Sequence, residues 1–142
     1  MRKVSYFLIC FLLLLSCNKE EDPVFHLDLI SVAPTQLTEF QENLIVEIEY
    51  EHSKGFMGFY DPDYLSIEVK DSRLTNADFY HLIPLNPPEN NLSIKGVIGL
   101  EIDSPFILGT GNLETLFYTI RIQDRNGEWS NEISTPLITV NR

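Results

Sequence analysis

The stretch Leu44-Ile45-Val46-Glu47-Ile48-Glu49-Tyr50-Glu51 decides the fold class. Leu44, Val46, Ile48 and Tyr50 alternate with Glu47, Glu49 and Glu51. Successive strand side chains point to opposite faces, so this period of two makes one face apolar and the other acidic. The same rule reads outward in both directions. Upstream, Phe25, Leu27 and Leu29 alternate with His26 and Asp28, and then Ile30 and Val32 shift the phase. Such a shift predicts a bend or bulge before Ala33-Pro34-Thr35 ends the strand. Downstream, residues 52–63 hold two glycines and Pro62 and read as a long loop. Leu65, Ile67 and Val69 alternate with Ser66, Glu68 and Lys70. Phe79 to Leu85 is a shorter extended piece, ended by Pro84 and the Asn86-Pro87-Pro88 turn. Ile94 to Ile102 is extended, with Gly96 and Gly99 weakening it. Leu116, Tyr118, Ile120 and Ile122 alternate with Thr119, Arg121 and Gln123. Asp124-Arg125-Asn126-Gly127 is a turn, because Asn-Gly adopts positive φ at little cost. Ile133 to Val140 is the last strand, and Pro136 suggests an edge position. A helical turn is expected only within 104–115. Roughly seven short strands with Gly, Pro and Asn punctuation predict an all-β antiparallel sandwich.

Composition narrows the function classes. The chain has 142 residues, 44% hydrophobic and 22% charged, with ten Lys plus Arg against 21 Asp plus Glu. That length fits one domain with a short appendage. The apolar content is too high for a disordered chain. The acidic balance lacks the basic footprint that a nucleic-acid binder needs. Two cysteines make neither a disulfide framework nor an all-cysteine zinc site.

The N-terminus carries an address. Arg2 and Lys3 precede a ten-residue apolar run, Tyr6 to Leu15, which ends in Leu14-Leu15-Ser16-Cys17. A membrane-spanning helix needs about 20 such residues; this run has the length of a secretory signal core. Leu14, Ser16 and Cys17 together resemble a bacterial lipoprotein signal. The resemblance implies that residues 1–16 are removed and that Cys17 carries acyl chains on its sulfur and amine. No other cofactor is implied. Lys19, Glu20 and Glu21 follow, and they look like the surface-export signal of Bacteroidota lipoproteins; a plain solvated tether is the other reading. The expected organisation is a signal peptide (1–16), a lipidated cysteine and acidic tether (17–23), and one β-sandwich domain (24–142). The mature chain would hold 126 residues, with eight basic against 21 acidic. A chain of that size buries about two-thirds of its unfolded surface without a disulfide staple.

Two resemblances concern the domain. Tyr118-Thr119-Ile120-Arg121-Ile122 resembles the penultimate strand of immunoglobulin-like and fibronectin type III domains. The immunoglobulin disulfide cysteines are absent, so the fibronectin type III or a generic Ig-like bacterial domain is the better comparison. Further, Glu47 to Glu51, Val69 to Arg73 and Asp124 to Asn131 follow one another as in a group of small Bacteroidota lipoproteins. Ser53, Lys54 and Phe56 stand here where acids or small residues are common in that group. These matching motifs are mostly turn chemistry, so they speak to fold more than to function.

Catalytic chemistry has little to build on. There is no Gly-x-Ser-x-Gly elbow, and the expected mature chain has no thiol beyond the acylated one. His26, His52 and His81 lack partners at metal-ligand spacing and read as surface or packing histidines. Asp61-Pro62-Asp63 and Asp124-x-Asn126-Gly127-Glu128 offer oxygens to Ca²⁺, which wants roughly six to eight of them. Neither segment has the distal bidentate Glu of an EF-hand, so acids that shape turns are the preferred reading.

The loop Gly55-Phe56-Met57-Gly58-Phe59-Tyr60 is the candidate partner-binding segment. Phe56, Met57, Phe59 and Tyr60 either plug the end of the sandwich or present an apolar contact. The expected function is that of a non-enzymatic accessory subunit. It would be anchored by lipid in the outer membrane, facing the cell surface, and would dock on outer-membrane proteins of a larger assembly. A free surface module for glycan or host protein is the alternative, for which Trp129 and the 56–60 loop would supply the aromatic platform. An enzyme is the least favoured reading.

Overall fold

The structure is a computed structural model that describes residues 24–55, 57–85 and 92–142. The expected signal segment, Cys17, Lys19, Glu20, Glu21 and Phe56 lie outside the described residues. The described residues form strands and no helix: β1 (Phe25–Ala33), β2 (Gln36–Thr38), β3 (Leu44–His52), β4 (Leu65–Asp71), β5 (Asp78–His81), β6 (Ile94–Ile102), β7 (Leu113–Leu116), β8 (Tyr118–Ile122), β9 (Ile133–Ser134) and β10 (Ile138–Asn141). Three sheets result, ordered β1-β3-β6, β5-β4-β8-β9 and β2-β10-β7. Every pairing is antiparallel except β2 with β10.

β3 sits between β1 and β6 and behaves as its alternation requires. Leu44, Val46, Ile48 and Tyr50 are buried, while Glu47 and Glu51 point outward. Register places His26, Glu51 and Lys95 in one outer row and Asp28, Glu49 and Val97 in the next. Lys95 lies 2.9 Å from Glu49. Its hydrogen bond to Glu49 raises the ammonium above its usual value, and Glu51 and Asp28 add to the effect. The phase shift in β1 is a register shift between Leu29 and Ser31, which leaves Ile30 half exposed. The inward rows of all three sheets meet in one apolar cluster. Ile48, Ile120 and Ile122 within it are 0% exposed, and burial of each contributes about 1.5–3 kcal/mol.

Several expectations are revised. Residues 104–115 hold no helical turn. Instead the Glu114 carboxylate accepts from the Leu108 and Gly109 N–H groups, at 3.1 and 2.6 Å, and closes the loop back onto β7. The strand expected from Leu116 onward is interrupted at Phe117, whose N–H donates to Ser72 Oγ. The expected last strand divides as well. Thr135 exchanges hydrogen bonds with Tyr118 through its N–H and its Oγ1. Pro136, which cannot donate, follows at the point where the chain leaves β8 for β7 and β2. The Phe79–Leu85 piece shortens to β5. Leu82 turns into the core, and residues 82–85 bond instead to Met57 and Phe59.

Gly96 proves to be a packing requirement of β6. It lies opposite Tyr50, and a Cβ there would come within 2.6 Å of the Tyr50 hydroxyl oxygen. Tyr50 is buried, and displacing its ring costs overpacking strain of about 1–3 kcal/mol. Gly96→Ala is therefore expected to lower the free energy of urea unfolding by that amount. Gly99→Ala, where the added methyl meets nothing within 4 Å, should be close to neutral.

Candidate functional site

The described fold has two poles. β1 begins, β3 ends and β6 begins at one of them, where Phe25 and Ile94 both pair with His52. Nine extended residues carry the chain about 25–30 Å to the other pole. The first pole, where the described chain enters the domain, gathers the end of β3, the loop after it and the turn after β8.

His52 and Asp124 are the centre of this pole. His52 is 0% exposed and Asp124 1%. The Lys54 and Gly55 N–H groups both donate to His52 Nδ1, at 3.1 Å. Nδ1 is therefore the unprotonated nitrogen, and Nε2 carries the hydrogen that it donates to Asp124 Oδ2 at 3.1 Å. Asp124 Oδ1 accepts from the Asn126 and Glu128 N–H groups, at 2.8 and 2.9 Å, and shapes the turn predicted from Asp-Arg-Asn-Gly. Gly127 occupies positive φ there. The Phe25 ring packs against the imidazole with centroids 4.9 Å apart. A histidine held by a carboxylate resembles the base of a nucleophilic triad, but this one spends both nitrogens internally. It has no lone pair for a substrate and no path to solvent, so its role is to tie β3 to the β8–β9 turn.

The candidate loop divides its residues between inside and outside. Met57 is 1% exposed and fills the end of the core. Phe59 stacks on Tyr64 with ring centroids 3.8 Å apart. Tyr60 is 72% exposed. Backbone bonds from Phe59 N to Leu82 O and from Leu85 N to Met57 O fasten the loop to the 82–85 segment, where Ile83 is 66% exposed. Arg125, from the Asp124 turn, donates through Nε to Gly58 O at 2.6 Å, and its guanidinium lies 5.4 Å from the Tyr60 ring centroid. Exposed Tyr60 and Ile83 and half-buried Arg125 thus lie together at this pole, with an apolar and aromatic centre. The reading of the sequence did not single out Ile83 or Arg125. A lone exposed isoleucine and a turn arginine carry no periodic signal, and only the pairing of the two loops brings them to Tyr60.

The other candidate residues are dispersed. His26 lies 3.3 Å from Asp28 on the exposed face, and His81 Nδ1 lies 3.0 Å from Tyr64 O. Asp61 Oδ1 accepts from the Asp63 N–H at 3.0 Å and so shapes its own turn. No group of three His, Cys, Asp or Glu among the described residues is placed to hold a metal ion. Trp129 lies under the Arg121 guanidinium, 4.3 Å from its ring centroid, while Arg121 is paired with Glu68 at 2.8 Å. No family model, curated protein or solved structure matches the chain.

Proposed function

We propose that the chain is a lipid-anchored outer-membrane lipoprotein of a Bacteroidota-type bacterium, exposed at the cell surface. In this reading it is a non-enzymatic accessory subunit that docks on a larger outer-membrane assembly. Its domain is read as Ig-like. The strand order β1-β3-β6 opposed to β5-β4-β8-β9 supports that reading, as does the hydrophobic alternation of Tyr118 to Ile122. The observation that carries the docking role is the position of the Tyr60–Ile83–Arg125 surface. It lies at the same pole as Phe25 and His52, the end of the fold where the described chain begins. An exposed tyrosine and isoleucine beside a half-buried arginine suit contact with a membrane-embedded protein. The closed His52–Asp124 pair supports the non-enzymatic part of the reading. The Arg121 cover on Trp129 weighs against a flat aromatic platform for glycan.

The test is affinity purification of the tagged lipoprotein from gently solubilised outer membranes, followed by mass spectrometry. One or more outer-membrane proteins should co-purify, and Tyr60→Ala with Ile83→Ser should lose them at an unchanged melting temperature. Recovery of the lipoprotein alone across several detergent strengths sinks the docking role. Met57→Ser should act differently, costing about 2–4 kcal/mol of stability through the core cavity it leaves.

A further inference from the structure

The far pole holds a cleft of about 420 Å³ that the docking surface does not touch. Asp71, at the end of β4, and Arg73 form one wall. The Arg73 guanidinium is fully engaged there. Nε and Nη2 bond both Asp71 oxygens, and Nη1 reaches Glu114 at 2.9 Å and Phe106 O at 2.8 Å. Asp78 and Asp103 line the same cleft from β5 and from the segment after β6. Neither has an ion-pair or hydrogen-bond partner among the described residues. The cleft therefore presents three carboxylates against one guanidinium that is already spent.

Two hydroxyl-bearing residues lie in this lining. Tyr118, at the start of β8, is 6% exposed and lines the cleft, and its hydroxyl has no hydrogen-bond partner among the described residues. Ser104 Oγ, in the same lining, is buried without a partner. Burial raises the Tyr118 hydroxyl well above its ordinary value, and Asp71 adds to the rise. Tyr80 is raised first by burial and then by Asp78 and Asp103, so both carboxylates act on one point of the cleft. The rim is apolar: Phe79 and Phe106 are 46% and 44% exposed. Phe40 stacks on Phe106 with centroids 5.4 Å apart. Phe40 itself adopts φ 62° at the third position of the Thr38–Gln41 turn, where glycine or asparagine is usual, yet its ring is 72% exposed. Strained backbone positions cluster at ligand-contacting and switch regions.

We propose that this cleft binds an organic cation, an ammonium or guanidinium head carried on an apolar stem. The two unpartnered carboxylates attract the positive head, and the Tyr118 hydroxyl accepts one of its N–H bonds. The Tyr80 and Tyr118 rings and the phenyl rim favour a soft cation with a hydrocarbon tail over a hydrated metal ion. An anion is repelled by the same field.

The full-length lipoprotein in detergent micelles, titrated with butylammonium and butylguanidinium chloride, tests this by amide chemical shifts. Both cations should shift Asp78, Tyr80, Asp103 and Ser104, less so as salt is added, and sodium butyrate should not. Asp78 and Asp103 are exposed, so their replacement leaves the fold intact. D78N combined with D103N should weaken binding about tenfold, and Tyr118→Phe should weaken it further. Butanol giving the same shifts at the same concentrations, or undiminished binding in the double variant, overturns the proposal. A blocked peptide carrying one arginine separates the sources of the cation. Tighter binding than butylguanidinium assigns the cleft to a side chain of a partner protein, and equal binding assigns it to a free small cation.

Discussion

Asp124→Ala is expected to destabilise the domain by about 3–5 kcal/mol, because each buried donor left without a partner costs about 1–3 kcal/mol. The reason lies in how many groups one carboxylate serves. Oδ1 accepts from the Asn126 and Glu128 N–H groups, and Oδ2 accepts from His52 and, at 3.4 Å, from Asn126 Nδ2. Alanine strands all four donors. His52 has no alternative, because its Nδ1 already accepts from Lys54 and Gly55 and the ring is 0% exposed. A turn and a loop should loosen together, since the imidazole joins them. In a thermal melt the midpoint should fall by on the order of 10–15 °C. Asp124→Asn separates the contributions. Its amide oxygen still serves the turn, but its NH₂ then faces the His52 Nε2–H donor to donor, so the loss should be intermediate. An alanine variant within about 0.5 kcal/mol of the parent chain would falsify the structural role given to the pair.

Cys17→Ser is expected to release the protein from the membrane. A single 14-carbon chain binds a bilayer with a constant on the order of 10⁴ M⁻¹, and each further buried CH₂ adds about 0.8 kcal/mol. In the proposed reading, two or more chains on Cys17 would anchor the protein firmly, and loss of all of them would leave an acidic chain with no affinity for an anionic lipid surface. Fractionation should move the Cys17→Ser protein to the soluble pool, with no incorporation of labelled palmitate, while Cys10→Ser changes nothing after processing. Glu20→Ala with Glu21→Ala gives a different outcome. The chain should stay membrane-bound but become protected from protease added to intact cells. Labelled palmitate on the serine variant at the level of the parent chain rules out the anchor at Cys17.

The strands were legible because their signals are local. Leu44 to Glu51 alternates without a break, and the β3 it forms is buried on the predicted side along its length. The bulge in β1 was announced by the change of phase at Ile30 and Val32. β2 was not legible, because three residues carry no period, and what makes Gln36–Thr38 a strand is its pairing with β10 about a hundred residues away. The interruption at Phe117 was equally hidden, since the alternation of Leu116 and Tyr118 runs straight through it. A hydroxyl from Ser72, in another segment, takes the Phe117 N–H there. At the candidate loop, composition flags Phe56, Met57, Phe59 and Tyr60 as a group. Packing then separated Met57, inside, from Tyr60, outside. Side-chain type specifies an apolar tendency, and only the neighbouring 82–85 segment specifies which side chain is covered.

The sequence by itself determined the β class, the acidic outer face of β3 and the turn at Asp124, because alternation and turn chemistry act over a few residues. Only the tertiary structure decided that His52 meets Asp124 across 72 residues of chain. It also decided that Asp78 and Asp103 open onto one cleft beside the Tyr118 hydroxyl, at the pole opposite Tyr60. Those juxtapositions depend on strand register and sheet order. Both are set by closing a shared core, and neither leaves a local trace in the chain.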